Sequence, residues 1–186
     1  MTIHKIQHPS LKDHYISYGF FTRNGGVSKY PFNSLNCSFS VNDKKDDVKE
    51  NLKLVCQELK LRKLVKLNQI HSSEVHIINN YNLNASTLNA DGLVTNLRGI
   101  GLSILGADCA PILFYDNMSK TIGACHAGWR GAVGDIVENT IISMENIGAN
   151  RNNMMAIIGP TIQKQSYEIK EDVAKIVKNS FYFKNN

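Results

Sequence analysis

Six short apolar runs follow one another through the middle of the chain, and they constrain the fold more than any other feature. Turn-forming residues bound each run, and no two runs are separated by a helix long enough for a parallel crossover. The runs are LVKL, EVHII, DGLVT, GLSIL, APILFY and TIGACH. We therefore predict a mixed or antiparallel sheet rather than a doubly wound one, with a hairpin or short connection at the DNMS turn, residues 116–119.

Two amphipathic helices are predicted on either side of these strands. Apolar residues recur at helical spacing from Val48 to Leu59, and acidic residues precede them from Asp46, where the helix dipole favours negative charge. The spacing returns over a second stretch that stops at Gly148, a residue typical of a helix C-terminus. Its apolar residues are Val133, Ile136, Val137, Ile141, Met144 and Ile147. We predict that all six are buried, each contributing on the order of 1.5 to 3 kcal/mol before entropy is subtracted.

Two further strands are predicted outside these helices. One lies around Tyr18 to Thr22, ahead of a turn at Gly25 and Gly26. The other is the run MMAIIGP, which we interpret as a buried strand ended by Pro160. The chain is thus predicted to contain many short strands and two helices.

The bulk composition limits the class of protein. A length of 186 residues and a hydrophobic content of 42% suit one globular domain over residues 1–186. No apolar run approaches the roughly 20 residues that span a bilayer, and the first residues lack the apolar block of a secretion signal. The net charge of +5 is scattered among acids rather than gathered in a stripe. We therefore expect a soluble, cytoplasmic protein whose partners include neither nucleic acid nor membrane.

The cysteines require individual explanations. Cys37, Cys56, Cys109 and Cys125 show no C-x-x-C pairing, so a disulfide framework is not expected. Cys56 falls within the first helical pattern and is interpreted as a small core hydrophobe. Cys125 directly precedes His126, and neighbours on a strand point to opposite faces. We therefore predict that these two side chains do not face the same metal ion.

Three metal-ligating side chains stand at the edges of apolar runs. His71, Cys109 and His126 lie in the segments NQIHSSEVH, LGADCAPILF and ACHAGWRG. They could supply the nitrogen, sulfur and nitrogen atoms that zinc accepts, and three protein ligands would leave the open position that marks a catalytic site. The residue types alone leave an alternative open, in which backbone hydrogen bonds satisfy the histidines and Cys109 is an inert buried thiol.

A series of longer motifs resembles one protein family. The motifs TRNGGVSKYPFNSLN, NQIH, ADGLVT, GADCAPILFYD, HAGWRGAVGDIV and IIGPTIQKQSYEI follow one another between about Phe20 and Ile169. In this order they resemble the laccase-domain, YfiH-like proteins, purine nucleoside phosphorylases formerly called multicopper polyphenol oxidoreductases. The resemblance implies an α+β fold with α/β/β/α layers and mixed sheets, similar to that of Cys-His deamidating toxins.

The resemblance also implies a site and an activity. It places zinc ligands on His71, Cys109 and His126, the residues that their chemistry had suggested. Members of the family are associated with phosphorolysis of adenosine, inosine and methylthioadenosine, and with adenosine deamination. The implied partners are purine nucleosides and phosphate, and the chain is expected to act as a monomer or homodimer.

Further candidate residues follow from the two reactions. A phosphate nucleophile has to be held by positive groups, and Arg23 and Arg130 are the candidates, with backbone amides near Gly25, Gly26 or Gly131 as added donors. The candidate catalytic residues are Cys109, Arg130 and Asp108. Asp108 lies next to Cys109 in the sequence, and we interpret it as orienting a ligand or moving a proton. The alternatives are that each arginine tethers carbonyl groups and that Asp108 caps a turn.

Three other functions are weighed. Copper is suggested by the family's older name, but six histidines are too few for the several copper centres of a multicopper oxidase. A metal-free hydrolase or deamidase would use Cys109 as nucleophile and His126 as base. An inactive, shortened member is the third, because family members continue well beyond the motif Tyr167-Glu168-Ile169. The apolar residues at 181–183 are expected to mark a chain truncated within its domain.

Overall fold

A computed structural model describes residues 2–9, 16–80 and 82–180, so the apolar residues predicted to mark a truncation, 181–183, lie outside the described part. The strands are β1 (Lys5–Ile6), β2 (Phe20–Phe21), β3 (Lys63–Lys66), β4 (Val75–Ile77), β5 (Gly92–Thr95), β6 (Ile100–Ser103), β7 (Ala110–Asp116), β8 (Thr121–Ala127) and β9 (Met154–Ile158). The helices are α1 (Lys45–Glu58), α2 (Trp129–Val133), α3 (Ile136–Glu145) and α4 (Glu171–Asn179). No helix in the described part is long and apolar enough to cross a bilayer.

The central sheet is mixed, as the strand pattern predicts. It has the order β4-β5-β8-β7-β9, with β4 and β5 parallel and the other pairs antiparallel. A tight turn joins β7 to β8, with Asp116 opposite Thr121, so the predicted hairpin is confirmed. Two smaller sheets accompany it, a parallel pair of β3 with β6 and an antiparallel pair of β1 with β2.

The elements form four layers, which confirms the α/β/β/α arrangement. Alternate residues of a strand point to opposite faces, so Val94 and Cys125 pack on one face of the central sheet with Ile136 and Met144 from α3. The other face buries Leu93 and Ala124 against Val65 of β3 and Ile100 of β6. Beyond β3 and β6 lies α1, whose Val55 packs with Leu64 and with Leu59, the residue after the helix. Cys125 therefore points away from the face toward which His126 is directed, as predicted.

The helix predicted at residues 46–59 forms nearly where its pattern places it. It begins at Lys45, with Asp46 and Asp47 in the first turn. One polar residue lies on its buried face: the Asn51 side chain accepts a hydrogen bond from Val27 N–H at 2.8 Å and donates to the Asn36 carbonyl at 2.8 Å. This amide therefore anchors the loop between β2 and α1 to the helix.

The prediction of a single second helix is wrong, because this stretch forms two helices. It divides into α2 and α3 at Asp135, whose φ of 66° is left-handed, a conformation that aspartate tolerates better than most residues. Of its six apolar side chains only Ile136 and Met144 are fully buried. The break escapes a periodicity argument because the apolar spacing continues in register across it. Helix α3 ends at Glu145, three residues before the predicted end at Gly148, whose φ of 99° is left-handed.

The predicted buried strand MMAIIGP is also corrected. It forms β9, but in the described part of the chain β9 pairs only with β7 and lies at the sheet edge. Its side chains are partly or fully exposed, with Ile158 at 64%, and the strand ends at Ile158 rather than at Pro160. An apolar run is thus compatible with an edge as well as with a buried strand, and only the pairing of the sheet distinguishes them.

Candidate metal centre

Strand pairing brings three distant segments to one end of the central sheet. Strand β8 ends beside both of its neighbours: Gly92 at the start of β5 pairs with Cys125, and Pro111 near the start of β7 pairs with His126. Asp91 thus lies beside His126, and Cys109 lies beside Gly128. The segment before β4 reaches the same place because the Glu74 carbonyl accepts hydrogen bonds from the N–H groups of Asp91 and Gly92.

The three predicted ligands meet at this end. One ligand atom from each of His71, Cys109 and His126 lies within 4.8 Å of the other two. The imidazole rings of the two histidines stand nearly at right angles, with centroids 4.8 Å apart. Bond lengths of about 2.0 to 2.3 Å in a tetrahedral site place ligand atoms roughly 3.3 to 3.7 Å apart, so closure on an ion requires movement of at most about 1 Å.

Asp91 is the residue that sequence reasoning missed. It is fully buried, and its Oδ1 lies 2.8 Å from Nδ1 of His126. Its Oδ2 accepts hydrogen bonds from Ile70 N–H, Ser72 N–H and the Ser72 hydroxyl, at 3.1, 2.6 and 2.9 Å. This contact holds the proton on Nδ1 and leaves Nε2 of His126 free to bind a metal, the usual carboxylate–histidine–metal arrangement. A charged residue in the apolar motif ADGLVT was the available signal.

The charge state of Asp91 supports this arrangement. Burial alone would raise the pKa of the Asp91 carboxyl, but the hydrogen bonds from His126, Ser72 and Ile70 outweigh burial and hold the pKa below its usual value. Asp91 is therefore an anion at neutral pH, although no solvent reaches it. A buried carboxylate beside an imidazole favours positive charge at this end of the sheet.

The backbone around the ligands is shaped for close approach. His71 has a φ of 60°, a left-handed conformation that is uncommon outside glycine and recurs at functional sites. Gly128 lies against all three ligands: a Cβ at this position would be 3.0 Å from Cδ2 of His71, 3.2 Å from Sγ of Cys109 and 3.8 Å from Cε1 of His126. Any side chain at Gly128 would therefore press on the ligands.

The thiol of Cys109 is half-buried at the start of β7. Burial raises its pKa, and the negative charges of Asp108 and Asp91 raise it further. A metal-free nucleophilic cysteine has the opposite environment, because neighbouring positive charge lowers its pKa. The Asp108 side chain is exposed, and its main-chain carbonyl accepts hydrogen bonds from Ile162 N–H at 2.9 Å and the Thr161 hydroxyl at 2.5 Å. Asp108 thereby joins the Cys109 segment to the chain after β9.

The two predicted phosphate-binding arginines differ in their surroundings. Arg23 is exposed, and its guanidinium donates twice to the Asn33 carbonyl, at 2.9 and 2.6 Å, which is the tether weighed as its alternative. Arg130 is exposed in α2, two residues after Gly128, with its guanidinium carbon 4.4 Å from the Trp129 ring centroid.

The predicted backbone donors are occupied or enclosed. The N–H groups of Gly25 and Gly26 donate to the Ser34 hydroxyl at 3.1 and 3.2 Å. Gly131 is buried in the middle of α2 rather than at the start of a helix. The amides of Gly25 and Gly26 are therefore not free to bind a ligand.

Comparison with known proteins identifies the family. Residues 17–185 match the family model described as multi-copper polyphenol oxidoreductase laccase. A purine nucleoside phosphorylase of Corynebacterium glutamicum is 37% identical over 161 residues, covering 85% of this chain and 65% of that protein. The purine nucleoside phosphorylase YlmD of Bacillus subtilis is 32% identical over 170 residues, covering 86% of this chain and 61% of that protein. The chain thus spans less than two thirds of the length of these relatives.

Solved structures agree with the sequence relatives. The Neisseria meningitidis protein NMB0706 aligns with a TM-score of 0.80 and 32% identity, covering 95% of this chain and 69% of that one. YlmD from Geobacillus stearothermophilus also gives a TM-score of 0.80, at 28% identity over 86% of this chain and 63% of that one. The sequence motifs of this chain, its layered fold and these similarities together show that it belongs to the laccase-domain, YfiH-like family, whose curated members are named purine nucleoside phosphorylases.

Proposed function

We propose that the chain is a zinc-dependent purine nucleoside phosphorylase, converting adenosine, inosine or methylthioadenosine and phosphate to free base and ribose 1-phosphate. The observation that carries the proposal is the cluster of His71, Cys109 and His126, with Asp91 bound to His126. The names of the relatives supply the reaction. Because the chain spans only part of their length, similarity alone does not transfer their activity.

The residues at the cluster fit a zinc ion. Two imidazole nitrogens and a thiolate are a ligand set that zinc accepts, with a fourth position left for water or substrate. The absence of a side chain at Gly128 keeps the space beside all three ligands clear. Copper also accepts such ligands, but the one three-residue cluster found among the described residues and the six histidines of the sequence do not provide the centres of a multicopper oxidase.

Each protein residue has a defined task in the proposed reaction. Zinc bound to this set would supply Lewis acidity at its open position. Asp91 keeps the proton of His126 on Nδ1 and orients the ring. Asp108, exposed beside Cys109, would give or take a proton as the purine leaves. Arg130, with Arg23 as the second candidate, would hold the phosphate nucleophile against the ribose.

Adenosine deamination is a second reaction proposed for the same site. It needs an activated water and a group that moves a proton to the leaving amine, and Asp108 could serve the second task. The two reactions are separable by their products, because phosphorolysis of adenosine requires phosphate and releases adenine, whereas deamination releases inosine without phosphate. We also propose a cytoplasmic location and a monomeric or homodimeric state.

The test is turnover by protein of measured metal content. Purified protein is incubated with inosine or adenosine, with and without phosphate, and free base, ribose 1-phosphate and inosine are quantified. Cys109→Ala removes a ligand and should lower the rate by more than about 100-fold, the upper end of the effect of a group that only supports a ligand. Cys56→Ala, the same change at a half-buried position on α1, should leave the rate unchanged.

Other outcomes would identify the alternatives. Equal rates for wild type and Cys109→Ala would contradict the proposed site. Protein that contains no zinc, hydrolyses esters or amides, and loses this activity with iodoacetamide would be the metal-free hydrolase. Zinc-loaded wild type that forms no product from either inosine or adenosine would be an inactive family member.

A further inference from the structure

A polar cavity borders the loops that carry two of the metal ligands. It has a volume of about 450 Å³ and is lined by Ser38, Phe39, Lys66, Gln69 and Leu105, among others. The Gln69 side chain joins two of its walls, donating to the Leu105 carbonyl at 2.8 Å and accepting from Leu105 N–H at 2.8 Å. This pair of hydrogen bonds fixes one side of the cavity.

The cavity lies close to the metal centre along the chain. Gln69 precedes His71 by two residues, so their α-carbons are at most about 7 Å apart. Leu105 precedes Cys109 by four residues on the other wall. A ligand in the cavity would therefore adjoin the segments that present the imidazole and the thiol.

Lys66 brings an unpaired positive charge into this cavity. Its Nζ lies 3.9 Å from the centroid of the Phe39 ring, and it makes no ion pair in residues 2–9, 16–80 and 82–180. Four other lysines in that part of the chain pair with a carboxylate. Burial lowers the pKa of Lys66. The charge is therefore partly removed from water without an anion to compensate it.

The neighbours of Lys66 do not neutralise it. The face of an aromatic ring attracts a cation but carries no net charge. The nearby Cys37 thiol stays protonated, because burial raises its pKa to about 11 even though Lys66 opposes the rise. An ammonium has three N–H donors, and hydroxyl groups of Ser38 and Ser40 stand in the same cavity wall. This combination of one cation and several small donors suits a small oxyanion.

We propose that this cavity is the phosphate subsite and that Lys66 binds inorganic phosphate there. The inference rests on the proposed function and adds a residue to it. Arg23 is committed to the Asn33 carbonyl and Arg130 is exposed over Trp129, whereas Lys66 is half-buried and has no ion-pair partner among the described residues. Phosphate held by Lys66 would reach the metal centre along the wall formed by Gln69.

The first experiment measures binding rather than turnover. Inorganic phosphate is titrated by calorimetry into wild type, Lys66→Met and Lys63→Met. Lys66→Met keeps the length of the side chain and removes its charge, and it should raise the Kd for phosphate by about 10- to 100-fold, as expected for charge-assisted hydrogen bonds. Lys63 is the matched control, because it lies on the same strand, does not line this cavity, and donates to Asn84 at 2.5 Å. Lys63→Met should bind phosphate like wild type.

A second measurement needs no substitution. Phosphate should protect Lys66 of wild type from reductive methylation, detected by mass spectrometry, without protecting Lys63. This decides the question if Lys66→Met does not fold. Equal phosphate binding by wild type and Lys66→Met, or no protection of Lys66, would overturn the inference.

Combining the binding and turnover measurements distinguishes failure of the phosphate subsite from failure of the proposed reaction. A further titration distinguishes a phosphate subsite from a nucleotide site. If wild type does not turn over nucleosides but binds phosphate through Lys66, the subsite stands and the proposed reaction fails. If wild type is active and Lys66→Met has the same KM for phosphate, the reaction stands and the subsite fails. Adenosine 5′-monophosphate is titrated alongside: binding that depends on Lys66, with no binding of inorganic phosphate, would assign the cavity to nucleotides and overturn the proposal.

Discussion

Two buried aspartates stand at opposite ends of the central sheet and bind nearly the same set of partners. Asp91 lies beside the end of β8, and Asp116 pairs with Thr121 at its start. Each carboxylate accepts hydrogen bonds from two backbone N–H groups and from a serine hydroxyl, and neither residue is more than 1% exposed. They differ in the last partner, which is the His126 imidazole for Asp91 and the Asn150 N–H for Asp116.

That one partner separates a functional position from a structural one. In the described part of the chain, Asp116 accepts hydrogen bonds from Met118, Ser119 and Asn150, which serve only to hold the carboxylate in place. Asp116 therefore closes the hairpin and ties the hairpin to the segment after α3. Asp91 instead holds a ring whose second nitrogen can bind a metal. The same buried carboxylate chemistry therefore supports stability at one end of the sheet and the candidate metal centre at the other.

Asp91→Asn should give the largest effect, and it should appear in metal binding. The amide oxygen can take the place of Oδ2 and accept from Ile70 and Ser72, so the loop keeps its hydrogen bonds. The amide NH₂ then faces Nδ1 of His126 and moves the ring proton to Nε2, the nitrogen needed by the metal. Zinc affinity should fall by about 10- to 100-fold, measured by competition with a chelator. Unchanged affinity would remove the distinction between the two aspartates.

Asp116→Asn should show the reverse pattern. Oδ1 accepts from Met118 N–H and Ser119 N–H, and Oδ2 accepts from the Ser119 hydroxyl and Asn150 N–H. An amide NH₂ cannot accept either pair, so the free energy of unfolding should fall by about 1 to 3 kcal/mol. Denaturant titration measures the loss, and zinc affinity should stay within twofold of wild type. A weaker zinc site in this variant would show that the two ends are coupled.

Two glycines test the same contrast without changing a charge. A Cβ at Gly128 would lie 3.0 Å from His71 Cδ2 and 3.2 Å from Cys109 Sγ, whereas one at Gly123 would lie 2.8 Å from Sδ of the core residue Met144. Gly128→Ala should lower zinc affinity by about tenfold, as for removal of a supporting group. Gly123→Ala should instead lower stability by about 1 to 3 kcal/mol through overpacking. Chelator competition measures zinc affinity and thermal melting measures stability for both variants. Loss of stability in Gly128→Ala together with loss of zinc affinity in Gly123→Ala would contradict the roles given to the two ends of the sheet.

The smallest expected effect is the pH dependence of the Asp116 contribution. Burial would raise the pKa of this carboxyl, but hydrogen bonds from Asn150, Met118 and Ser119 outweigh it and lower the pKa. A lowered folded-state pKa gives stability that is fully present above the unfolded value of about 3.9 and is lost as pH falls through the folded-state pKa. The stability difference between wild type and Asp116→Asn should therefore be constant from neutral pH to about pH 5 and shrink below about pH 4. A stability difference that grows as the pH falls would contradict a lowered pKa of Asp116 in the folded state.

The fold was predictable where a local pattern has one structural outcome. Alternation within β5 and β8 places Leu93 and Ala124 on one face and Val94 and Cys125 on the other, because successive strand residues point to opposite sides. The break at Asp135 was not predictable, because the apolar spacing is the same on both sides of it. Nor was the edge position of β9, which depends on the strands beside it rather than on its own residues.

The three residues of the candidate site could be predicted from sequence, but the residues around them could not. Motifs indicated His71, Cys109 and His126, since few side chains bind zinc and each stands at a strand edge, and the structure brings these three together. Asp91 gave only the weak signal of a charged residue in the apolar motif ADGLVT, and Lys66 gave none. An aspartate before a strand and a lysine on a strand are ordinary residues until their neighbours are known.

The amino-acid sequence thus determined the short strands, the helix at residues 45–58 and the chemical types gathered in the ligand motifs, because periodicity and residue chemistry act over a few positions. Tertiary structure alone decided that Asp91 meets His126 across 35 residues, that Gly128 borders all three candidate ligands, and that Lys66 has Phe39 beside it but no ion-pair partner in the described part of the chain. These contacts follow from the order in which strands pair, and that order is set by the packing of the whole chain rather than by any segment of it.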